Sequence, residues 1–201
     1  MDERAADVDE RVLETAIRLF AELGYDATSL DMIAGAVGSD VSRSALLKDG
    51  KPGLYRAAFE HFYELDRQRF EAAAQGISHG VEGLHLLADT FLDFSLAHPE
   101  IGALWGHRVL KDAIDFDFPE RFTPPLEVMM TSRTWEGVHP DTDLQFLAWT
   151  VIWMVLGFTH TGLPHEDGRR RYADDPSALH RFRTQLHRTI DARVRAPDAG
   201  R

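Results

Sequence analysis

Apolar residues recur at three- and four-residue steps along nearly the whole chain, and no stretch alternates strictly between apolar and polar. That period is the helical one, so the pattern predicts an all-α fold of about nine helices. In the first segment Val12, Ala16, Leu19, Phe20 and Leu23 form one stripe, and Gly24 ends it, since a C-terminal glycine enters the left-handed region cheaply. A second helix is expected from Thr28, where Thr28 and Asp31 have capping-box spacing, with Ile33, Ala34 and Val37 inward and Gly38 closing it. Val41-Ser-Arg-Ser-Ala-Leu-Leu47 reads as a short third helix, and Lys48-Asp-Gly-Lys51 as a turn. Pro52 then suits a first helical position, because its missing N–H has no partner there. The fourth helix is expected over about 52–75, with Leu54, Ala57, Ala58, Phe62 and Leu65 on one side.

Gly76 and Gly80 interrupt the chain, and further helices are predicted at about 81–97, 100–113, 121–135, 141–161 and 175–194, punctuated by prolines. Leu163–Asp175 reads as an exposed loop, and 196–201 as a disordered tail. The expected organisation is a helix-turn-helix domain over 1–51 and a larger helical domain over 52–195. The most apolar run, Leu144–Phe158, is short for a membrane span and contains Gln145, so a buried or interface helix is expected rather than membrane contact.

Composition narrows the chemistry. With no cysteine among 201 residues, disulfides, thiolate metal sites and a cysteine nucleophile are excluded. The acidic opening segment lacks the apolar core of a signal peptide, and a cytoplasmic location is expected. The net charge is −11, and residues 1–60 hold twelve acidic against seven basic residues, net −5. Four of those seven basic residues fall between Arg43 and Arg56, which makes a local positive patch on an acidic protein. Enzyme signals are weak. His61 and Glu64 share a helix face but have no second pair, and His107, Asp112, Asp115 and Asp117 match no metal-ligand spacing. There is no phosphate loop and no nucleophile elbow, so neither an enzyme nor a cofactor is expected.

If the second and third helices form a helix-turn-helix, the third faces the major groove. Ser42, Arg43 and Ser44 supply hydroxyls and a guanidinium for bases or phosphates, and Lys48 and Lys51 are placed for phosphates. Leu13-Glu-Thr-Ala-Ile-Arg-Leu-Phe-Ala-Glu-Leu-Gly-Tyr25 and Ala27-Thr-Ser-Leu-Asp-Met-Ile-Ala34 closely resemble the N-terminal signature of the tetracycline-repressor-like (TetR) family, and the resemblance covers about residues 9–62. Val41–Leu47 looks like that family's recognition helix, and Lys51-Pro-Gly-Leu-Tyr55 like the start of its fourth helix. Thr28, Ser29 and Tyr55 therefore join the expected DNA contacts. The chain departs from the pattern at Ser39-Asp40, inserted between Gly38 and Val41, and at Lys48-Asp49, where an aromatic pair is usual. A DNA-binding domain that has lost operator recognition stays open as the alternative.

The resemblance implies a homodimer, double-stranded DNA as partner and a small-molecule effector bound in the C-terminal part. Trp105, His107, Phe116, Phe118, Phe122, Met129, Met130, Trp149 and Trp153 are the candidate pocket residues, with His160 as a further polar candidate. For the dimer, the apolar faces of 141–161 (Leu144, Leu147, Ala148, Val151, Val155, Phe158) and of 175–194 (Leu179, Phe182, Leu186, Ile190) are expected to form a four-helix interface.

Overall fold

A computed structural model of the chain describes residues 3–38, 44–110 and 123–195. Among them the fold is α-helical: α1 (Glu3–Leu23), α2 (Leu30–Val37), a 3-10 turn (Leu46–Asp49), α3 (Gly50–Ala73), α4 (Val81–Ala97), α5 (Pro99–Val109), α6 (Pro125–Thr131), α7 (Leu144–Thr161) and α8 (Pro176–Val194). The loop between α7 and α8 carries a two-residue antiparallel pair, β1 (Leu163–Pro164) against β2 (Arg170–Arg171), with Leu163 opposite Arg171. It is too short to count as a strand layer.

The chain divides into two compact units, residues 1–64 with 100–121 and residues 65–99 with 122–201. α3 contributes its first part to one unit and its second part to the other. In the first unit the stripe of α1 is buried as far as Phe20: Val12, Ala16 and Phe20 have no exposed surface, whereas Leu23, at the end of the helix, is exposed. Ile33 of α2, Leu54 and Tyr55 of α3, and Leu104 of α5 are equally buried. Gly24 follows α1 at φ 83°, the left-handed stop predicted for it.

The start of α2 differs from expectation. Ser29, not Thr28, caps the helix, its Oγ accepting from Met32 N at 3.2 Å. Thr28 is buried instead and donates to Gly24 O at 2.7 Å and Leu19 O at 3.2 Å. Its hydroxyl thereby ties the turn back to the C-terminal end of α1. Of the predicted third helix, Val41–Leu47, residues 41–43 lie outside the described residues; Ser44 and Ala45 are not helical, the chain forms the 3-10 turn at 46–49, and α3 starts two residues before Pro52.

In the second unit α4 packs against α6, α7 and α8 around Leu84, Leu87, Leu92, Leu126, Met130, Val151, Val155, Leu186 and Ile190. Beside this core runs a polar seam between α4 and α8. His85 Nε2 meets Asp191 Oδ1 at 3.0 Å, Arg183 bridges Asp89 and Asp93 at 2.9 and 2.7 Å, and the rings of His85 and His187 stack at 4.2 Å. The seam partners positions 85, 89 and 93 of α4 with 191, 187 and 183 of α8, which fixes their antiparallel register.

α7 is long and apolar enough to cross a membrane by length and composition, yet Leu147, Ala148, Val151, Ile152, Val155 and Phe158 are buried within the unit. These, with Phe182, Leu186 and Ile190 of α8, include most of the residues expected to form the dimer interface. Those side chains pack inside the unit's own core, the α7 face against α4 and α6 and the α8 face against α4 and α7. Periodicity marks which face is buried but not whose side chains bury it.

Candidate functional site

The first unit holds the expected DNA contacts, and the fold uses several of them internally. Thr28 is tied to the end of α1 as described. Ser44 is buried and donates from its hydroxyl to Asp9 Oδ1 at 2.6 Å, while the same carboxylate oxygen accepts from Ala45 N at 2.8 Å. Ser44 Oγ in turn accepts from Leu46 N at 3.2 Å, at the entry to the 3-10 turn. Tyr55 has no exposed surface; its ring lies edge-on to Phe20 at 5.1 Å and to Phe59 at 5.1 Å. Thr28, Ser44 and Tyr55 are therefore corrected from DNA contacts to packing and positioning residues. A hydroxyl held by carbonyls or a carboxylate in a buried setting is not free for phosphate.

Ser29 is exposed at the N-terminus of α2 and Lys48 is exposed on the 3-10 turn, so both present polar groups outward. Lys51 donates from Nζ to Tyr25 O at 2.8 Å and sits 4.2 Å above the centre of the Tyr25 ring. The cation is half-buried there, pinned in a polar and cation–π setting. Ser42 and Arg43 lie outside the described residues.

Asp9 is the residue that sequence reasoning missed. It entered only as one of twelve acidic charges, but it anchors Ser44 and Ala45, ahead of the 3-10 turn, to α1 through two charge-assisted bonds. Its position near the start of an amphipathic helix gave no signal, because its partners lie 35 and 36 residues away.

The expected effector residues are divided between the units. Trp105 and His107 belong to the first. Trp105 stands edge-on to Phe59 at 5.3 Å, and His107 Nε2 lies 3.1 Å from Ala21 O, so α5 packs on α1 and α3 there. Phe116, Phe118 and Phe122 lie outside the described residues. In the second unit Met130 is fully buried and Met129 half-buried on α6. Trp149 donates from Nε1 to Glu127 Oε2 at 2.9 Å, and Gln145 Nε2 donates to Glu127 Oε1 at 2.6 Å. Both oxygens of this buried carboxylate are thus occupied. Trp153 is 56% exposed and faces Trp149 at 5.9 Å and Phe146 at 6.0 Å. His160 is exposed, its Nδ1 2.9 Å from Leu156 O of its own helix.

Two surface clefts of the second unit, about 210 and 270 Å³, are lined by Asp141, Phe146, Thr150 and Arg193 and by Leu163, His165, Arg171 and Arg181 respectively. Met129, Trp149 and Trp153 line neither. A carboxyl that sequence reasoning did not single out is Asp66 of α3. It is only 5% exposed, and its Oδ1 has no hydrogen-bond partner among the described residues. Burial pushes the carboxyl up to about 7, against an opposing attraction from Arg69.

No protein-family model and no curated protein matches this chain. Among solved structures it is similar to a HlyIIR mutant protein carrying a GSSGSSG linker in place of an internal segment, with TM-score 0.59 and 19% identity over 96% of this chain and 99% of that one. A second HlyIIR mutant protein, with an internal segment substituted by alanine, matches with TM-score 0.50 and 19% identity over the same shares. At this identity the likeness is one of fold, and it runs nearly end to end.

Proposed function

We propose that this chain is a TetR-like transcriptional regulator, a cytoplasmic repressor that binds palindromic operator DNA as a homodimer and lets go when a small, largely apolar effector binds. The observation that carries the reading is the α1–α2 pair. Its turn is set by Thr28 and Ser29, the exposed N-terminus of α2 and Lys48 face outward, and Asp9 holds Ser44 and Ala45 of the candidate recognition segment. A helix N-terminus and a lysine are the groups that hold a phosphate backbone. Ser42 and Arg43 are the base-reading candidates. The dimer would set two such elements about 34–36 Å apart, one turn of DNA. Effector binding must favour the released state over the bound one for the switch to work.

For the dimer contact we propose the outward stripe of α7. Phe146 is 47% and Trp153 56% exposed, and Trp149 and Leu156 flank them half-buried. Aromatic patches of this kind are usual at subunit interfaces.

A second reading is a dimeric ligand- or protein-binding module without operator recognition. The net charge of −5 over residues 1–60, and the internal use of Thr28, Ser44 and Tyr55, favour it. Selection of genomic DNA fragments by the purified protein, at low and near-physiological salt, separates the two. An enriched palindrome with half-sites one turn apart establishes the regulator. A folded dimer that enriches no sequence even at low salt supports the second reading.

A further inference from the structure

We infer that Asp66 is the charge-reading residue of the effector site, and that the effector carries a protonated nitrogen on an apolar body. The inference rests on the effector-binding reading above and names the class of molecule bound. The other buried carboxylate of the second unit, Glu127, shows how this fold satisfies such a group: each oxygen receives a donor, from Gln145 and Trp149. In the seam between α4 and α8, Asp89, Asp93 and Asp191 each face an arginine or a histidine. Asp66 is treated differently. It is more buried than Glu127, 5% against 9% exposed, and Oδ1 accepts nothing.

Phe70, one turn further along α3, is 1% exposed and belongs to the core cluster of the second unit. An ionised carboxylate with an open acceptor costs the fold several kcal/mol. What relieves that cost is an N–H donor bearing positive charge, which supplies both the hydrogen bond and the counter-charge. Among the described residues none donates to Oδ1: Arg69, three residues on, is exposed and acts on Asp66 by attraction at a distance. An amine or amidine on an aromatic or aliphatic body fits both requirements. A carboxylate ligand is repelled, and a neutral alcohol gains only the weaker hydrogen bond.

The test uses arylalkyl amines of graded chain length, each with the alcohol and the carboxylate of the same carbon skeleton, titrated into the full-length protein by calorimetry. At least one amine is expected to bind about tenfold or more tightly than its alcohol and carboxylate. Asp66→Asn is expected to bring that amine to within about twofold of its alcohol while leaving the alcohol's affinity unchanged. The inference is overturned if no amine outbinds its alcohol, or if Asp66→Asn keeps the preference. Should the variant fail to fold, the carboxyl carbon-13 resonances of the wild-type protein decide. The amine must shift one buried aspartate resonance that the alcohol leaves in place, and no such shift overturns the inference. DNA selection on the same preparation keeps the two readings apart. Operator binding without amine preference sinks only this inference, and amine preference without operator binding sinks only the regulator.

Discussion

Replacing Asp66 by Asn removes a titrating charge from the core at nearly constant volume, and its effect on stability can be worked out in advance. The folded carboxyl titrates near 7 against an ordinary 3.8. Because the folded value is the higher one, the native state binds more protons than the unfolded state between those two values, and stability falls as pH rises through that window. Below about 4 the group is protonated in both states and costs nothing in ionisation. Above 7 the full penalty applies, on the order of 4 kcal/mol at about 1.36 kcal/mol per pH unit. Between pH 5 and pH 8 wild type should therefore lose about 2–3 kcal/mol that Asp66→Asn does not lose. Urea unfolding of both proteins at pH 5, 6, 7 and 8 measures this. Every other ionisable group is common to both proteins, so its contribution cancels in the difference. Parallel stability curves would refute the reasoning, because they would mean that Asp66 ionises freely in the folded protein and is not buried as described. A difference that grows towards low pH would refute its sign.

Other perturbations act on other parts of the molecule. A Cβ on Gly83 runs into the Ser78 carbonyl oxygen and stands 2.6 Å from Trp135 Cζ3, so Gly83→Ala should cost about 1–3 kcal/mol in thermal or urea unfolding. Asp9→Ala removes two charge-assisted bonds to Ser44 and Ala45; it should cost about 1.5–3 kcal/mol of stability and weaken operator binding without changing the salt slope, as measured by fluorescence anisotropy across salt concentrations. Lys48→Ala, by contrast, should leave stability unchanged and lower the salt slope by about one, in the same assay. Trp153→Arg on the exposed stripe of α7 should yield a folded monomer in sedimentation, whereas Leu186→Ala in the core should lower the free energy of unfolding by about 2–5 kcal/mol and leave association intact in whatever remains folded.

Much of this fold is local, and local features are legible in a sequence. The three- and four-residue spacing of Val12, Ala16, Leu19 and Phe20 requires a helix with one buried face, and Gly24 stops it, because both depend only on residues within a turn of one another. Pro125, Pro176, Asp143 and Asp175 mark helix starts for the same reason. Non-local features are not legible in this way. Spacing alone cannot decide that Ser29 caps α2 while Thr28 turns back to α1, since either hydroxyl has the chemistry for the task. Nor can it show that Ser44 is spent on Asp9, that Tyr55 is enclosed by aromatic rings, or that the apolar face of α7 meets α4 and α6. The sequence by itself determined most of the helices and their inward faces. Only the tertiary structure decided which polar groups remain free, because hydrogen-bond satisfaction and burial depend on partners far away along the chain. That is why Asp66, one acidic residue among thirty-three, stands out only in the folded molecule.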